Sequence, residues 1–189
     1  MPEAPAPRPG MAAILFTLPN LITFGRICAV PLAFWALLRH RMDEAFVIFV
    51  AAGLSDALDG WLARRRGGGN LLGAVMDPVA DKALLVTMYI SLAAVDVLPD
   101  WLAILVVFRD LVIVGGILLM AVLGHEITIQ PLYISKLNTV LQILLVAVSL
   151  LESGFGLGIP ILTVVLIWCV AVTTLASGTA YVWNAARGE

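Results

Sequence analysis

Six apolar runs, each near twenty residues, leave this chain few ways to fold. They lie at roughly 21–38, 44–63, 73–95, 101–123, 136–152 and 160–183 of its 189 residues. About 20 apolar residues in helical form cross a hydrocarbon core. Inside that core every backbone N–H and C=O must be satisfied within the protein, which favours helices for runs of this length. The composition is 61% hydrophobic and 13% charged, whereas soluble domains carry about 25% charged residues. The pattern predicts an all-α integral membrane protein with six transmembrane helices in a single domain.

Short segments at 39–43, 64–70, 98–100, 124–126 and 153–160 separate the runs. The brief 64–72 connection makes the second and third spans antiparallel neighbours. Residues 1–10, rich in Pro, read as a disordered tail, and 11–189 as the membrane domain, with 11–20 a short interfacial segment. The tail lacks the pattern of a cleaved signal or an organelle address, which points to a bacterial-type plasma (inner) membrane. With both termini cytoplasmic, Arg8, Arg64, Arg65, Arg66, Lys136 and Arg187 fall inside and only Arg39 and Arg41 outside. That asymmetry follows the positive-inside rule. A net charge of −2 gives no support to a nucleic-acid partner. Cys28 and Cys169 sit in apolar runs and read as small buried side chains.

Against this apolar background stand four aspartates, Asp56, Asp59, Asp77 and Asp81. A carboxylate near a helix centre costs roughly 2.5–3.5 kcal/mol on insertion scales, so four without partners would cost on the order of 10 kcal/mol. Cations must compensate them. Asp56 and Asp59 are three residues apart, Asp77 and Asp81 four apart, so each pair shares a helix face. At 1.5 Å per residue, Asp59 and Asp77 lie roughly 6–7 Å from the connecting segment and Asp56 and Asp81 roughly 12 Å. Two layers of carboxylates result, on the cytoplasmic side. Hard divalent cations take such oxygen donors, and Mg²⁺ commonly shares them with substrate phosphates. Two metals roughly 4 Å apart would clamp a diphosphate. Gly60, Ala63 and Gly73, each one turn from an aspartate, leave room for a ligand, although small residues also serve helix packing. Arg64 suits a phosphate contact, while Arg65 and Arg66 read as a topology anchor.

The pattern Asp56-x2-Asp59-Gly60-x2-Ala63-Arg64-x8-Gly73-x3-Asp77-x3-Asp81 resembles the signature of the CDP-alcohol phosphatidyltransferase family in all eight fixed positions. The resemblance covers nearly the whole chain. It implies that Asp56, Asp59 and Asp77 ligate two divalent ions, Mg²⁺ or Mn²⁺, and that Asp81, the fourth aspartate and counted with them as a metal ligand, is the general base. It implies a CDP site lined by Gly60, Ala63, Arg64 and Gly73, with Asn20 near the nucleotide. It implies CDP-diacylglycerol as phosphatidyl donor, CMP as leaving product, and a homodimer.

Within the family, Arg109-Asp110-Leu-Val-Ile and the segment from Ile134 through Lys136, Asn138 and Gln142 are most similar to the eukaryotic-type cardiolipin synthases, whose acceptor is phosphatidylglycerol. The alternative acceptor is glycerol 3-phosphate, as in phosphatidylglycerophosphate synthases. Arg109 and Lys136 are the candidate acceptor ligands. Arg109-Asp110 also reads as a self-compensating pair, and Asn138 with Gln142 as helix-packing polar residues. Two other classes use buried aspartates. A cation-coupled transporter would spread them along a path across the membrane. A metal-dependent membrane prenyltransferase would carry them in two well-separated motifs.

Overall fold

The computed structural model describes residues 18–66, 71–122 and 133–187, with the side chains of 24–55, 82–116, 133–181 and Trp183. The expected tail at 1–10 lies outside the described residues. Six helices stand where six spans are predicted: α1 Leu18–Leu38, α2 Met42–Arg66, α3 Leu71–Ala94, α4 Asp100–Val122, α5 Tyr133–Phe155 and α6 Pro160–Arg187.

Local chemistry explains where they stop. At the end of α1 the N–H of Arg41 bonds to the carbonyl of Ala36 and that of His40 to Leu37, with His40 at φ 55°. The same pair of bonds closes α3, from Val97 to Leu92 and from Asp96 to Ala93, with Asp96 at φ 59°. Both are Schellman caps built on a non-glycine residue. Gly156, at φ 65°, ends α5 through a single bond from its N–H to the Glu152 carbonyl. Starts are equally legible. Asp43 and Glu44 occupy the first turn of α2, where carboxylates favour the helix dipole, and Arg41 pairs with Glu44. Pro160 opens α6 at a position where a missing N–H costs nothing. Pro78 falls seven residues after the start of α3, so it lies within that helix instead of opening it.

The helices form a closed ring. Contacts run α1–α2, α2–α5, α5–α6, α6–α4, α4–α3 and α3–α1, and α3 also meets α5 across the middle. The side chains at 56–66 and 71–81, by which the second and third spans were expected to be neighbours, lie outside the described residues. Among the described residues α1 packs against both, and α2 and α3 make no substantial contact with each other. Ala33 and Ala36 of α1 and Ala45 and Ala52 of α2 are buried, and small residues of this kind let helix backbones approach closely. Met88, Tyr89 and Leu92 of α3, Leu102 and Val106 of α4, and Leu145 and Leu150 of α5 fill the interior. Phe46 meets Phe155 edge-on at 5.7 Å between α2 and α5, and Trp101 lies 5.8 Å from Trp168 between α4 and α6.

Outside the ring the polarity is inverted. Ile104, Phe108 and Leu111 of α4 and Val164, Trp168, Val172 and Leu175 of α6 are all more than half exposed. Helices α5 and α6 are each long and apolar enough to cross a membrane. Apolar surface this continuous is what lipid, not water, solvates. The protein associates with a membrane.

One contact sets a stringent test of this packing. A Cβ on Gly154 would lie 2.7 Å from the Asp43 backbone nitrogen and 3.0 Å from the Met42 carbonyl carbon. Backbone cannot give way as a side chain does. Gly154→Ala is expected to destabilise the protein by about 1–3 kcal/mol, read as a lower unfolding midpoint in mixed micelles.

Candidate functional site

Because only residues 67–70 separate α2 from α3, the C-terminal turns of one and the N-terminal turns of the other lie at the same end of the ring. Asp56, Asp59, Gly60, Ala63 and Arg64 fall on those turns of α2, and Gly73, Asp77 and Asp81 on those of α3. Asn20 falls on the first turn of α1, the helix that packs against both. The side chains of all nine lie outside the described residues. Among the described residues no three acidic, histidine or cysteine side chains gather as metal ligands. The four aspartates expected as metal ligands fall outside that search, on the turns of α2 and α3 that adjoin residues 67–70.

The described side chains begin one residue beyond Asp81, and there they are charged. Lys82 places its Nζ 2.8 Å from both carboxylate oxygens of Asp110 on α4. Asp110 also accepts a 2.7 Å bond from Nη1 of Arg109. The other guanidinium nitrogen, Nη2, donates 2.6 Å to Oγ of Ser135 on α5 and 2.5 Å to Oγ of Ser177 on α6. A single ionic network therefore ties α3, α4, α5 and α6. Gly178 lies beside the Arg109 stem, where even a Cβ would come within 3.7 Å. Arg109 and Asp110 are buried, and Lys82 is partly exposed.

This geometry addresses both readings of Arg109. The pair with Asp110 is present, as the self-compensating reading requires. Yet Lys82 is a third member, so among the described residues two cations share one carboxylate, with one formal positive charge over for these three. Counted along α4, Arg109 lies deeper than the aspartates, but its guanidinium meets Ser135 in the first turn of α5, and its carboxylate partner is the one held by Lys82. The cluster thus adjoins the position after Asp81. Nε of Arg109 is buried with no hydrogen-bond partner among the described residues. Lys136 stands apart, exposed and with its Nζ 5.9 Å from the Tyr133 ring centre.

Sequence reasoning missed Lys82 and Ser177. A lysine inside an apolar run was signal enough for the first, because ionisable residues at such positions are costly without partners. Ser177 offered no signal; its role depends on α6 lying beside α4. Asn138 behaves as a packing residue: its Oδ1 accepts bonds from Thr173 at 2.8 Å and Thr174 at 3.0 Å, joining α5 to α6.

The network has a measurable worth. Removing one partner of a buried ion pair costs roughly 3–5 kcal/mol, because the other charge is left buried. Asp110→Asn leaves both Lys82 and Arg109 without their carboxylate, so it is expected to destabilise the fold near that range. Lys82→Met, which removes a partly exposed charge, is expected to cost less. Equal effects in a denaturation series would argue against Asp110 as the hub.

A family model described as CDP-alcohol phosphatidyltransferase matches residues 16–176. The chain is 38% identical over 182 residues to CDP-diacylglycerol–glycerol-3-phosphate 3-phosphatidyltransferase 1, chloroplastic, of Oryza sativa subsp. japonica, covering 87% of this chain and 55% of that protein. It is 31% identical over 194 residues to cardiolipin synthase (CMP-forming) of Homo sapiens, covering 94% of this chain and 64% of that protein. It is 30% identical over 185 residues to CDP-diacylglycerol–glycerol-3-phosphate 3-phosphatidyltransferase of Bacillus subtilis (strain 168), covering 88% and 94%. The chain thus spans little more than half of the plant protein and under two thirds of the human one.

Proposed function

The chain belongs to the CDP-alcohol phosphatidyltransferase family, and we propose that it moves a phosphatidyl group from CDP-diacylglycerol to phosphatidylglycerol, forming cardiolipin and releasing CMP. The observation that carries this reading is the complete eight-residue signature, borne by the adjoining ends of α2 and α3. We read all six helices as spans of one membrane domain over 11–189, with the site and both termini facing the cytoplasm of a bacterial-type inner membrane. A homodimer fits the family.

Asp56, Asp59, Asp77 and Asp81 would hold two divalent ions, Mg²⁺ or Mn²⁺, which would supply positive charge to the diphosphate and to the departing CMP. The small residues Gly60, Ala63 and Gly73 leave space for the CDP moiety against the two helices. Asn20 approaches the nucleotide from α1, and Arg64 steadies a phosphate by a charge-assisted hydrogen bond. Asp81 takes the proton from the acceptor hydroxyl. The freed oxygen then bonds to the phosphorus carrying diacylglycerol as the bond from that phosphorus to the bridging oxygen breaks.

The acceptor in either case bears a phosphate. The positive charge left over in the Lys82–Asp110–Arg109 cluster, next to the position of the base, supports an anionic acceptor there, with Lys136 at the mouth. Resemblance in the Arg109-Asp110 and Ile134–Gln142 segments favours phosphatidylglycerol. The names of the rice and Bacillus relatives favour glycerol 3-phosphate as the second reading. Purified protein given CDP-diacylglycerol, Mg²⁺ and either acceptor decides between them. Cardiolipin formed only with phosphatidylglycerol is the expected product; phosphatidylglycerophosphate in the other tube would reverse the assignment.

A further inference from the structure

A lysine in an apolar run has to be accounted for donor by donor, because an ammonium carries three N–H groups and accepts nothing. Lys82 gives bonds to the two carboxylate oxygens of Asp110, each at 2.8 Å. One N–H is left over. The Lys82 side chain is 36% exposed, whereas those of Arg109 and Asp110 are 5% and 7% exposed. Of the three charged side chains in the cluster, only the lysine is open to a ligand.

Arg109 cannot do the same work from where it lies. Its Nη1 is taken by Asp110 and its Nη2 by the hydroxyls of Ser135 and Ser177, and its Nε is sealed inside the packing. For the guanidinium to reach an incoming anion, α4, α5 and α6 would have to separate. The serines differ from it in this respect. A guanidinium only donates, so each serine receives its bond through oxygen and keeps its own proton for another partner. Ser177 is buried, whereas Ser135, in the first turn of α5, is partly exposed.

Position gives the spare donor a purpose. Lys82 follows Asp81 directly in the chain, and Asp81 is the residue read above as the base. In either acceptor a glycerol carries phosphate at one end and the reacting hydroxyl at the other. A cation one residue from the base is placed to hold the far end of that short molecule. Resting on the phosphatidyl transfer proposed above, we infer that Lys82 is a direct contact for the acceptor's phosphate, with the Ser135 hydroxyl as a second donor. The third N–H of the ammonium bonds to an anionic phosphate oxygen, a charge-assisted hydrogen bond. Asp110 keeps the other two, so the side chain stays in place while the acceptor enters and leaves.

The test is steady-state kinetics of the full-length protein in mixed micelles with Mg²⁺, CDP-diacylglycerol and each acceptor in turn. Lys82→Met is expected to raise the acceptor KM roughly 10–100-fold, the scale of one hydrogen bond to a charged group, with the KM for CDP-diacylglycerol unchanged. Lys82→Arg, which keeps a cation, should recover most of that loss, and Ser135→Ala should raise the same constant several-fold. A purely structural lysine would raise both Michaelis constants together; that result, or an unchanged acceptor KM, would overturn the inference. Amine acylation of the unaltered protein, read by peptide mass spectrometry, stands even where the variants misfold. The chain has two lysines, Lys82 and Lys136. Phosphatidylglycerol or glycerol 3-phosphate should slow the labelling of Lys82, and diacylglycerol and glycerol, which lack the phosphate, should not. Which of the two protects identifies the source of the phosphate. Protection of Lys136 alone, or of neither lysine, would overturn the inference. Transfer to neither acceptor by the unaltered protein would overturn the proposed function and this inference with it, a result that needs no variant to be seen.

Discussion

Replacing Asp81 by asparagine is expected to lower turnover by about 10²–10⁴-fold, the usual contribution of a positioned general base, while CDP-diacylglycerol binding stays largely intact. Asparagine keeps the shape of the side chain and one carbonyl oxygen. It cannot take a proton from the acceptor hydroxyl. A binding assay with the CDP-lipid, run beside a turnover assay, separates the roles. Binding lost together with turnover would make Asp81 chiefly a metal ligand.

A larger effect is expected from removing the ions themselves. Dialysis against a chelator should abolish transfer, and Mg²⁺ or Mn²⁺ should restore it, because both charge stabilisation on CMP and alignment of the diphosphate depend on them. The folded state should report the same event. Four carboxylates in an apolar setting repel one another and resist burial, so the apo protein is expected to melt at lower temperature than the Mg²⁺ form, following ordinary ligand linkage. Asp59→Asn should shift the Mg²⁺ dependence of both activity and melting to higher concentration. Turnover indifferent to chelation would exclude the metal-clamp reading.

The positions of all six helices were legible because long apolar runs leave no other way to satisfy a backbone in lipid. Their ends were readable within a few residues: α3 was expected over 73–95 and spans Leu71–Ala94. The longer reach of α5, Tyr133–Phe155 against an expected 136–152, comes from polar and glycine-bearing turns that remain helical outside the apolar run. Neighbour relations were less legible. Chain order suggested that α2 and α3 lie side by side; among the described residues it is α1 that packs against each of them. Nothing in a linear pattern of hydrophobicity says which helix fills that place.

The candidate site divides along the same line. The aspartate signature is local in sequence, and its spacing can be read directly. The ionic cluster is not: Lys82, Asp110, Arg109, Ser135 and Ser177 come from four helices, and their meeting depends on how the ring closes. Arg109 and Asp110 were visible as costly charges in an apolar run. Their third member, Lys82, was hidden by standing next to the more conspicuous Asp81.

Mn²⁺ titration of the purified protein with CDP-diacylglycerol, followed by electron paramagnetic resonance, most directly probes the idea that acids of α2 and α3 hold a metal pair. Two Mn²⁺ ions per chain with mutual magnetic coupling, both lost in Asp59→Asn combined with Asp77→Asn, is the predicted result. A single uncoupled ion, or a pair that survives loss of both aspartates, would contradict it.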